Sequence, residues 1–226
     1  MPPISGGRPE GHYLGLYRHC LFPLLLEWGL DTPAVENERR AALAAASGRV
    51  LEVGFGFGGS LPAYPAGAAG VHAVTGIDAH AGLLRRAARR AARAPFPVRR
   101  VRGDARRLPF PSGAFDTVVT QFTLCSLPAP GACLAEMARV MAPGGRLLFL
   151  EHGRSDDRRI ARRQARLAPL FRLLGGGCRP DLPIDELVRA AGFRVETLDR
   201  YEFGGGPRVA RSFYRGSAIV SPGGCP

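Results

Sequence analysis

The sequence contains no lysine, so arginine supplies all 31 basic residues, against 19 acidic residues and a formal net charge of +12. A codon bias that favours Arg, Ala, Gly and Pro together would produce this composition without any functional role. The alternative is a surface that attracts anionic lipid, nucleic acid or an acidic substrate. Basic and aromatic residues do not interleave as they do on RNA-reading surfaces, so we expect no nucleic-acid partner.

Cysteine spacings typical of metal centres or disulfide frameworks are also absent. The five cysteines are an odd number, and none of them forms a C-x-x-C pair. We therefore expect a reduced compartment and predict a cytoplasmic protein. No group of residues has the spacing of a metal site, and we expect no metal.

Long hydrophobic runs are missing as well. The N-terminal residues 1–10 lack a basic segment followed by an apolar run, so no signal peptide is expected. The apolar stretch 21–26 is far too short to span a bilayer. With 226 residues, 46% of them hydrophobic, the chain suits one soluble domain with a sizeable core.

The most informative stretch is 50–60, an apolar strand that breaks into a glycine loop. Glycine lets a backbone adopt positive φ and approach a ligand closely. Residues Gly54–Gly59 satisfy G-x-G-x-x-G, the pattern of dinucleotide-binding loops. Residues Glu52–Gly58 satisfy E-x-G-x-G-x-G, which resembles motif I of the enzymes that use S-adenosylmethionine (SAM) as methyl donor. The loop alone leaves a nicotinamide-dependent oxidoreductase and a SAM enzyme both open.

Apolar periodicity predicts an alternation of helices and strands. Predicted helices cover 12–30, 33–46, 81–94, 131–141, 155–174 and 183–191, and predicted strands cover 49–53, 71–77, 98–102, 115–121, 146–151, 193–198 and 211–220. The alternation favours an α/β fold, with a Rossmann-like, seven-stranded, mostly parallel sheet, helices on both faces and strand 7 antiparallel. Pro23 should kink or split the first helix.

We divide the chain into a disordered tail at 1–11, N-terminal helices at 12–48, a cofactor-binding domain at 49–220 and a tail at 221–226. The N-terminal helices either pack on the side of the domain or form a lid over its ligand pocket. In both cases they belong to the same structural domain as the sheet.

Polar side chains follow several strands of the predicted sheet, namely Asp78, Asp104, Gln121 and Glu151-His152. The carboxyl ends of parallel strands meet at one edge, where ligands bind beside the first strand. Asp78 follows the second strand and is placed to accept hydrogen bonds from ribose hydroxyls, in NAD and in SAM alike.

Five features of the sequence coincide. They are E-x-G-x-G-x-G at 52–58, Gly76-Ile77-Asp78, Gly103-Asp104-Ala105, Phe115-Asp116 at the start of strand 4, and Pro143-Gly144-Gly145 before strand 5. Together, over about residues 13–220, they resemble the class I SAM-dependent methyltransferases, the type 11 branch that includes the ubiquinone/menaquinone C-methyltransferases. A nicotinamide-dependent oxidoreductase would explain only the first two features.

Three further segments carry a closer resemblance. They are Thr120–Ser126, Phe149-Leu150-Glu151-His152 and Gly176-Gly177-Cys178. They are similar to the methyltransferase-like-7 subfamily, which comprises membrane-associated thiol S-methyltransferases and bacterial relatives of unassigned substrate. The hydrophobic N-terminal anchor of that subfamily is not expected here, so its membrane attachment and substrate are not carried over.

The resemblance implies a role for each matching residue. The backbone of Gly54-Phe55-Gly56 and Gly58 would lie along the methionine part of SAM, with Glu52 steadying the loop or receiving the ammonium group. Asp78-Ala79 would bind the ribose, Gly103-Asp104-Ala105 the adenine, and Thr120-Gln121 would flank the sulfonium. The alternatives are that Glu52 caps neighbouring amides, and that Asp78 and Asp104 are turn or cap residues.

SAM carries an activated methyl group, so the protein must mainly align an acceptor and exclude water. We expect a small, fairly apolar acceptor, either a thiol, a quinol or phenol, or an amine. His152 is the candidate general base, because it follows strand 5 and imidazole exchanges protons near neutral pH. The alternative is a structural, hydrogen-bonded histidine. A non-catalytic binding or membrane-surface module remains a further alternative for the whole protein.

Other residues are assigned to the substrate end of the pocket. Tyr13, Tyr17 and His19 are candidate lid residues, Cys125 should pack in the pocket wall, and Cys178 should be buried and inert. The arginine-rich segment 155–174 either lies on an anionic membrane surface or, as we favour, packs on the core as a lid. The sequence makes no prediction of the oligomeric state.

Overall fold

A computed structural model describes residues 21–67, 70–204 and 206–221. The helices are α1 (Phe22–Leu30), α2 (Pro33–Leu43), α3 (Ala81–Arg86), α4 (Ala88–Ala91), α5 (Pro130–Val140), α6 (Arg158–Leu174) and α7 (Ile184–Ala190). The strands are β1 (Gly48–Val53), β2 (Val71–Asp78), β3 (Val98–Arg102), β4 (Phe115–Gln121), β5 (Met141–His152), β6 (Phe193–Glu202) and β7 (Ser212–Val220). Single 3-10 turns lie at Leu61–Ala63, Leu124–Ser126 and Arg208–Ala210.

The seven strands form one sheet in the order β3-β2-β1-β4-β5-β7-β6. Strands β1 to β5 pair in parallel, whereas β7 is antiparallel to both β5 and β6. The predicted Rossmann-like sheet with an antiparallel strand 7 is confirmed. The strand order reverses between β1 and β4, and in such sheets the ligand site lies outside the carboxyl ends of the strands at this point.

The central strands are buried because both faces of the sheet are covered. Alternate residues of β1 point to opposite faces, as expected for a strand. Leu51 and Val53 join the core packed against α5 and α7, while Val50 joins a second core packed against α2 and α3. Because both faces are covered, four consecutive residues of β1, Val50–Val53, are buried.

Several predicted element bounds differ from the structure. The helix predicted at 81–94 is divided into α3 and α4, and α2 ends at Leu43 instead of continuing to 46. Strand β5 begins at Met141 and contains Pro143-Gly144-Gly145, which was expected to precede it. Phe115 pairs with Met141 but Thr117 pairs with Arg146, so the Pro-Gly-Gly segment bulges out of the ladder.

The N-terminal helix is described only from residue 21 onwards. There Pro23 lies in the first turn of α1, a position where the missing proline N–H costs nothing. The part of the predicted helix that precedes Pro23 lies almost wholly outside the described residues, so the kink or split at Pro23 stays a prediction. The division of the chain into tails, lid and binding domain stays a prediction, and the tail at 1–11 lies outside the described residues.

Candidate active site

A cleft of about 650 Å³ opens at the carboxyl ends of the central strands. Its volume suits a drug-sized ligand, since such sites measure about 300–1,000 Å³. The predicted site residues that line it are Glu52, Gly54, Phe55, Gly56, Asp78, Ala79, Gly103, Asp104, Ala105, Gln121, Cys125 and His152. Gly58 and Thr120 are not among its lining residues. Tyr13, Tyr17 and His19 lie outside the described residues.

The glycine loop is held against β2 and against the turn after β4. The amides of Gly54 and Phe55 both donate to the carbonyl of Ile77, at 2.9 and 3.1 Å. Gly54 has φ +78°, and a Cβ there would lie 2.7 Å from Cβ of Thr123 and still closer to the rest of that side chain. Gly56 has φ +55°, and a Cβ there would have only the carbonyl oxygen of Gly54 within 4 Å. The loop backbone is therefore exposed to the cleft at Gly56.

Asp78 joins the end of β2 to the glycine loop. Its Oδ2 accepts from the amide of Gly56 at 2.9 Å, and its Oδ1 accepts from the amide of His80 at 2.7 Å. Burial raises the pKa of Asp78, while the two amides favour the charged carboxylate. The carboxylate is thus oriented by backbone donors, and it lies in the cleft with acceptor capacity left on both oxygens.

Glu52 is buried beneath the glycine loop. Its carboxylate accepts from the hydroxyl of Ser60 at 2.6 and 2.7 Å and from that of Tyr64 at 2.9 Å. Burial raises the pKa of Glu52 to about 7. The hydrogen bonds of Glu52 thus go to side chains that follow the glycine loop, which suits a residue that steadies this segment.

Arg39 of α2 also lines the cleft, and the sequence analysis did not identify it. Its side chain is 5% exposed, its Nη1 donates to the carbonyl of Gly59 at 3.0 Å, and its guanidinium lies over the rings of Phe57 and Phe122. Burial lowers the pKa of Arg39, although a guanidinium stays protonated in proteins. The sequence did contain a signal for Arg39. Arg39 lies four residues after Val35, on the same buried face of α2.

The segment Gly103-Asp104-Ala105 follows β3 and lines the cleft. Asp104 is about half exposed and pairs with Arg106, whose Nη2 lies 2.6 Å from Oδ2. The hydrogen bonds from Arg106 lower the pKa of Asp104. Asp104 is therefore a charged acceptor at the rim of the cleft.

The turn after β4 is organised by Glu151, which the sequence placed at the site edge without a role. The fully buried carboxylate accepts from the amides of Thr123 and Leu124 at 2.9 and 3.0 Å and from the hydroxyl of Thr120 at 2.8 Å. Burial raises the pKa of Glu151 to about 7 despite these donors. Phe122 in this turn has φ +52°, a strained value for a side-chain-bearing residue.

Gln121 and Thr120 therefore have different environments. The hydroxyl of Thr120 is used by Glu151, and Thr120 does not line the cleft. Gln121 lines the cleft at 6% exposure, and neither its Oε1 nor its Nε2 has a hydrogen-bond partner among the described residues. A buried amide without partners is costly, so Gln121 is suited to bind a polar ligand group.

We expect the substitution Glu151→Gln to lower the free energy of unfolding by roughly 2–3 kcal/mol, because an amide NH₂ would face buried N–H donors. Denaturant unfolding measures this change. Glu186→Gln is the matched control, since Glu186 is exposed and its ion pair with Arg154 is worth less than about 1 kcal/mol. Equal stability of the two variants would show that Glu151 does not hold the turn.

The remaining end of the cleft is largely apolar. The His152 ring stacks on Phe213 at 5.3 Å between centroids and lies 6.4 Å from Phe171. Its Nδ1 is 3.4 Å from Sγ of Cys178, which is 3.7 Å from Sγ of Cys125. His152 is 8% exposed, and its Nε2 has no partner among the described residues.

Cys178 was predicted to be buried, but it is half-buried and lines the cleft. The lining residues Phe171, Gly175 and Gly176 show that the C-terminal end of α6 borders the cleft. Leucines 167, 170, 173 and 174 of the same helix are exposed. Whether α6 is a lid or a membrane contact stays a prediction.

Neither a metal centre nor a bilayer-spanning helix is found in the part of the chain that the structure describes. There, no three His, Cys, Asp or Glu side chains are grouped so that they could hold a metal ion. No described helix combines the length and the apolar character that crossing a bilayer requires.

The residues present fit SAM. The carboxylate of Asp78 ends β2 in the cleft, an open glycine backbone adjoins it, and Gln121, whose amide has no partner among the described residues, lines the same cleft. The fold and the cleft thus define a Rossmann-like protein with a site for a nucleotide-like cofactor at the carboxyl ends of its strands.

Comparison with known proteins identifies the family. Residues 51–149 match the methyltransferase domain family. The chain is 32% identical over 235 residues to the demethylmenaquinone methyltransferase of Parafrankia sp., covering 92% of this chain and 91% of that protein. It is 40% identical over 145 residues to the phosphatidylethanolamine N-methyltransferase of Cereibacter sphaeroides, covering 62% and 70%. A putative methyltransferase of Haloferax volcanii, solved with the Trm112 activator, superposes with a TM-score of 0.68 at 17% identity, covering 95% and 99%.

The chain belongs to the class I SAM-dependent methyltransferases. It uses SAM as its cofactor, and the predicted enzyme class is confirmed. The nicotinamide-dependent alternative has no support from these relatives.

Proposed function

We propose that the protein transfers the methyl group of SAM to a small, largely apolar quinol, phenol or thiol. The observation that carries the proposal is the acceptor end of the cleft, where one imidazole lies between aromatic rings. Leu127, Pro128 and Ala210 complete the apolar lining. Such a wall favours a flat or hydrocarbon-rich acceptor.

An amine acceptor is less well matched. Among the described residues the carboxylates that line the cleft are Glu52, Asp78 and Asp104, all on the cofactor side. Glu151 lies nearer the acceptor end, but backbone amides and Thr120 occupy its oxygens. A cationic amine would therefore be desolvated there without a counter-charge. Of the acceptors named for the two relatives, demethylmenaquinone fits this environment better than phosphatidylethanolamine.

We assign the cofactor contacts as follows. The amide-rich loop around Gly56 would lie along the methionine part, and Asp78 would accept from the ribose hydroxyls. Arg39 would attract the methionine carboxylate, because it is a buried cation beside the loop with an unpartnered Nε. Gln121 would hydrogen-bond the same part of the cofactor, while Asp104 and the Ala105 amide would bind adenine.

Bound SAM supplies an activated methyl group on a positively charged sulfur. The protein contributes a general base, and we assign this role to Nε2 of His152. Phe213 and Phe171 pack against the imidazole ring of His152, and Sγ of Cys178 lies within hydrogen-bond distance of Nδ1. Nε2 is therefore the ring nitrogen that would receive a proton from an acceptor hydroxyl or thiol. The dry aromatic wall excludes water from the reacting atoms.

Calorimetric titration with SAM, S-adenosylhomocysteine and NADH tests the cofactor assignment. We expect micromolar binding of the first two and none of the third. An acceptor panel with one carbon skeleton bearing a phenol, a thiol or an amine then tests the acceptor class. Turnover of the amine alone would overturn the proposed acceptor class. If SAM, S-adenosylhomocysteine and NADH all fail to bind, a non-catalytic binding module is favoured.

The substitution Asp78→Ala should weaken SAM binding by roughly 1.5–3 kcal/mol, the usual loss for a hydrogen bond to a charged group. The substitution Asp78→Asn distinguishes the loss of the ribose contact from a loosening of the glycine loop. The amide oxygen of the asparagine can still accept from the amide of Gly56, so the contact with the loop is kept. The control is Asp199→Ala, an exposed carboxylate paired with Arg215 on β7. Unchanged affinity in both Asp78 variants would remove Asp78 from the ribose site.

A further inference from the structure

Two thiols and an imidazole meet at the acceptor end of the cleft. Sγ of Cys178 lies 3.7 Å from Sγ of Cys125 and 3.4 Å from Nδ1 of His152. Both cysteines line the cleft, so a small molecule that enters it reaches them. All described cysteines are free thiols.

The backbone brings the two thiols together. Cys125 lies in the 3-10 turn after β4, and Cys178 follows the glycine-rich loop after α6. The amide of Arg179 donates to the carbonyl of Cys125 at 2.8 Å. Gly177, with φ +98°, allows the loops to approach, since a Cβ there would lie 3.0 Å from the carbonyl oxygen of Ser126. The pairing is therefore built into the loop geometry.

The two thiols differ in reactivity. The hydrogen bond with Cys125 and the neighbouring His152 lower the pKa of Cys178, whereas the pKa of Cys125 is raised by Cys178 and by burial. Thiolates, and not thiols, attack disulfides. Cys178 is also the more exposed of the two and lies beside Nδ1 of His152, so it is the attacking residue. Cys125, which is buried next to it, is placed to resolve a mixed disulfide on Cys178.

We propose that Cys125 and Cys178 form a covalent modification site for low-molecular-weight disulfides of the glutathione type, which converts them reversibly into an intramolecular disulfide. In the first step the Cys178 thiolate attacks one sulfur of the disulfide, its S–S bond breaks, and one thiolate leaves with the electron pair. In the second step Cys125 attacks Sγ of Cys178, loses its proton, and releases the second half as a thiol. The small disulfide is reduced and the protein dithiol is oxidised.

The modification would regulate methyl transfer, a consequence that rests on the proposed function. A disulfide withdraws the Cys178 sulfur from Nδ1 of His152 and draws the loop after α6 towards the turn after β4. Both changes occur around Cys125 and Cys178, whereas the glycine loop follows β1 and Asp78 ends β2. Oxidation should therefore lower turnover and leave SAM affinity nearly unchanged. Disulfides in cytosolic proteins are mostly transient devices of this kind.

Peptide mapping of the full chain tests the site. Cys125 and Cys133 share one tryptic peptide because no arginine lies between 107 and 139, so the experiment uses a Cys133→Ala background. After treatment with glutathione disulfide, we expect a cross-linked peptide joining Cys125 to Cys178. In that background Cys125→Ser should accumulate glutathione on Cys178, and Cys178→Ser should leave Cys125 unmodified. Absence of the cross-link, or glutathione confined to Cys20 and Cys225, would overturn the proposal.

Activity and SAM binding test the regulatory consequence. Oxidised protein should lose at least about tenfold in methyl transfer, since a positioned general base contributes about 10²–10⁴-fold. Dithiothreitol should restore the rate, and SAM affinity should change less than about threefold. A cross-linked protein of full activity would refute the regulation. The peptide map does not depend on methyl transfer, so failure of the proposed function leaves the disulfide test intact.

Discussion

The substitution Gly54→Ala should reduce SAM affinity by more than about 100-fold. Positive φ costs a non-glycine residue about 1–3 kcal/mol, and Gly54 has φ +78°. The added Cβ would also overlap Thr123, whose hydroxyl is fixed by a 2.8 Å hydrogen bond to the carbonyl of Gln121. The glycine loop must therefore move away from the turn after β4, and the cofactor surface between them is lost. Calorimetric titration with SAM measures the effect.

Gly144→Ala is the matched control for backbone strain. Gly144 has φ +76°, and a Cβ there would meet nothing within 4 Å. We expect this variant to lose only stability, by about 1 kcal/mol, and to bind SAM normally. If both variants bind SAM equally well, the close approach of Gly54 to Thr123 does not shape the cofactor site.

The substitution His152→Ala should lower kcat by roughly 10²–10³-fold while changing SAM affinity less than about threefold. The reason is that His152 lies at the aromatic end of the cleft, between Phe171 and Phe213, and away from the glycine loop. A proton-accepting role also predicts that the pH dependence of kcat is weakened in the variant. Steady-state kinetics over a pH series, with the acceptor found in the panel, measures both effects.

Two comparisons test whether a loss of kcat in the His152→Ala variant comes from a lost proton acceptor or from a change in the shape of the pocket. His72→Ala, at an exposed position of β2, should leave kcat unchanged. An acceptor whose nucleophile is already ionised should be methylated by the His152→Ala variant nearly as fast as by the wild type. Equal losses on ionised and protonated acceptors would mean that His152 shapes the pocket without accepting a proton.

Much of the lining of the cleft around the glycine loop could be predicted from the sequence because its signals are local. The run Val50–Val53 followed by Gly54–Gly59 encodes a buried strand and a loop of positive φ within one short stretch. Asp78 and Gly103-Asp104-Ala105 follow strands in the same way, and the sheet brings strand ends together. The fold class followed from the alternation of elements, and resemblance to a family resolved the ambiguity of the glycine loop.

The long-range contacts around the cleft were decided only by the tertiary structure. Arg39 enters the cleft because α2 packs its buried stripe against the glycine loop, and Glu151 holds a turn that lies 26 to 31 residues earlier in the chain. Cys125 and Cys178 are separated by 53 residues and yet their sulfurs lie 3.7 Å apart. Periodicity and local motifs report which face a residue occupies. Which residue lies opposite depends on how the loops after β4 and α6 fold against each other, and no local pattern contains that information.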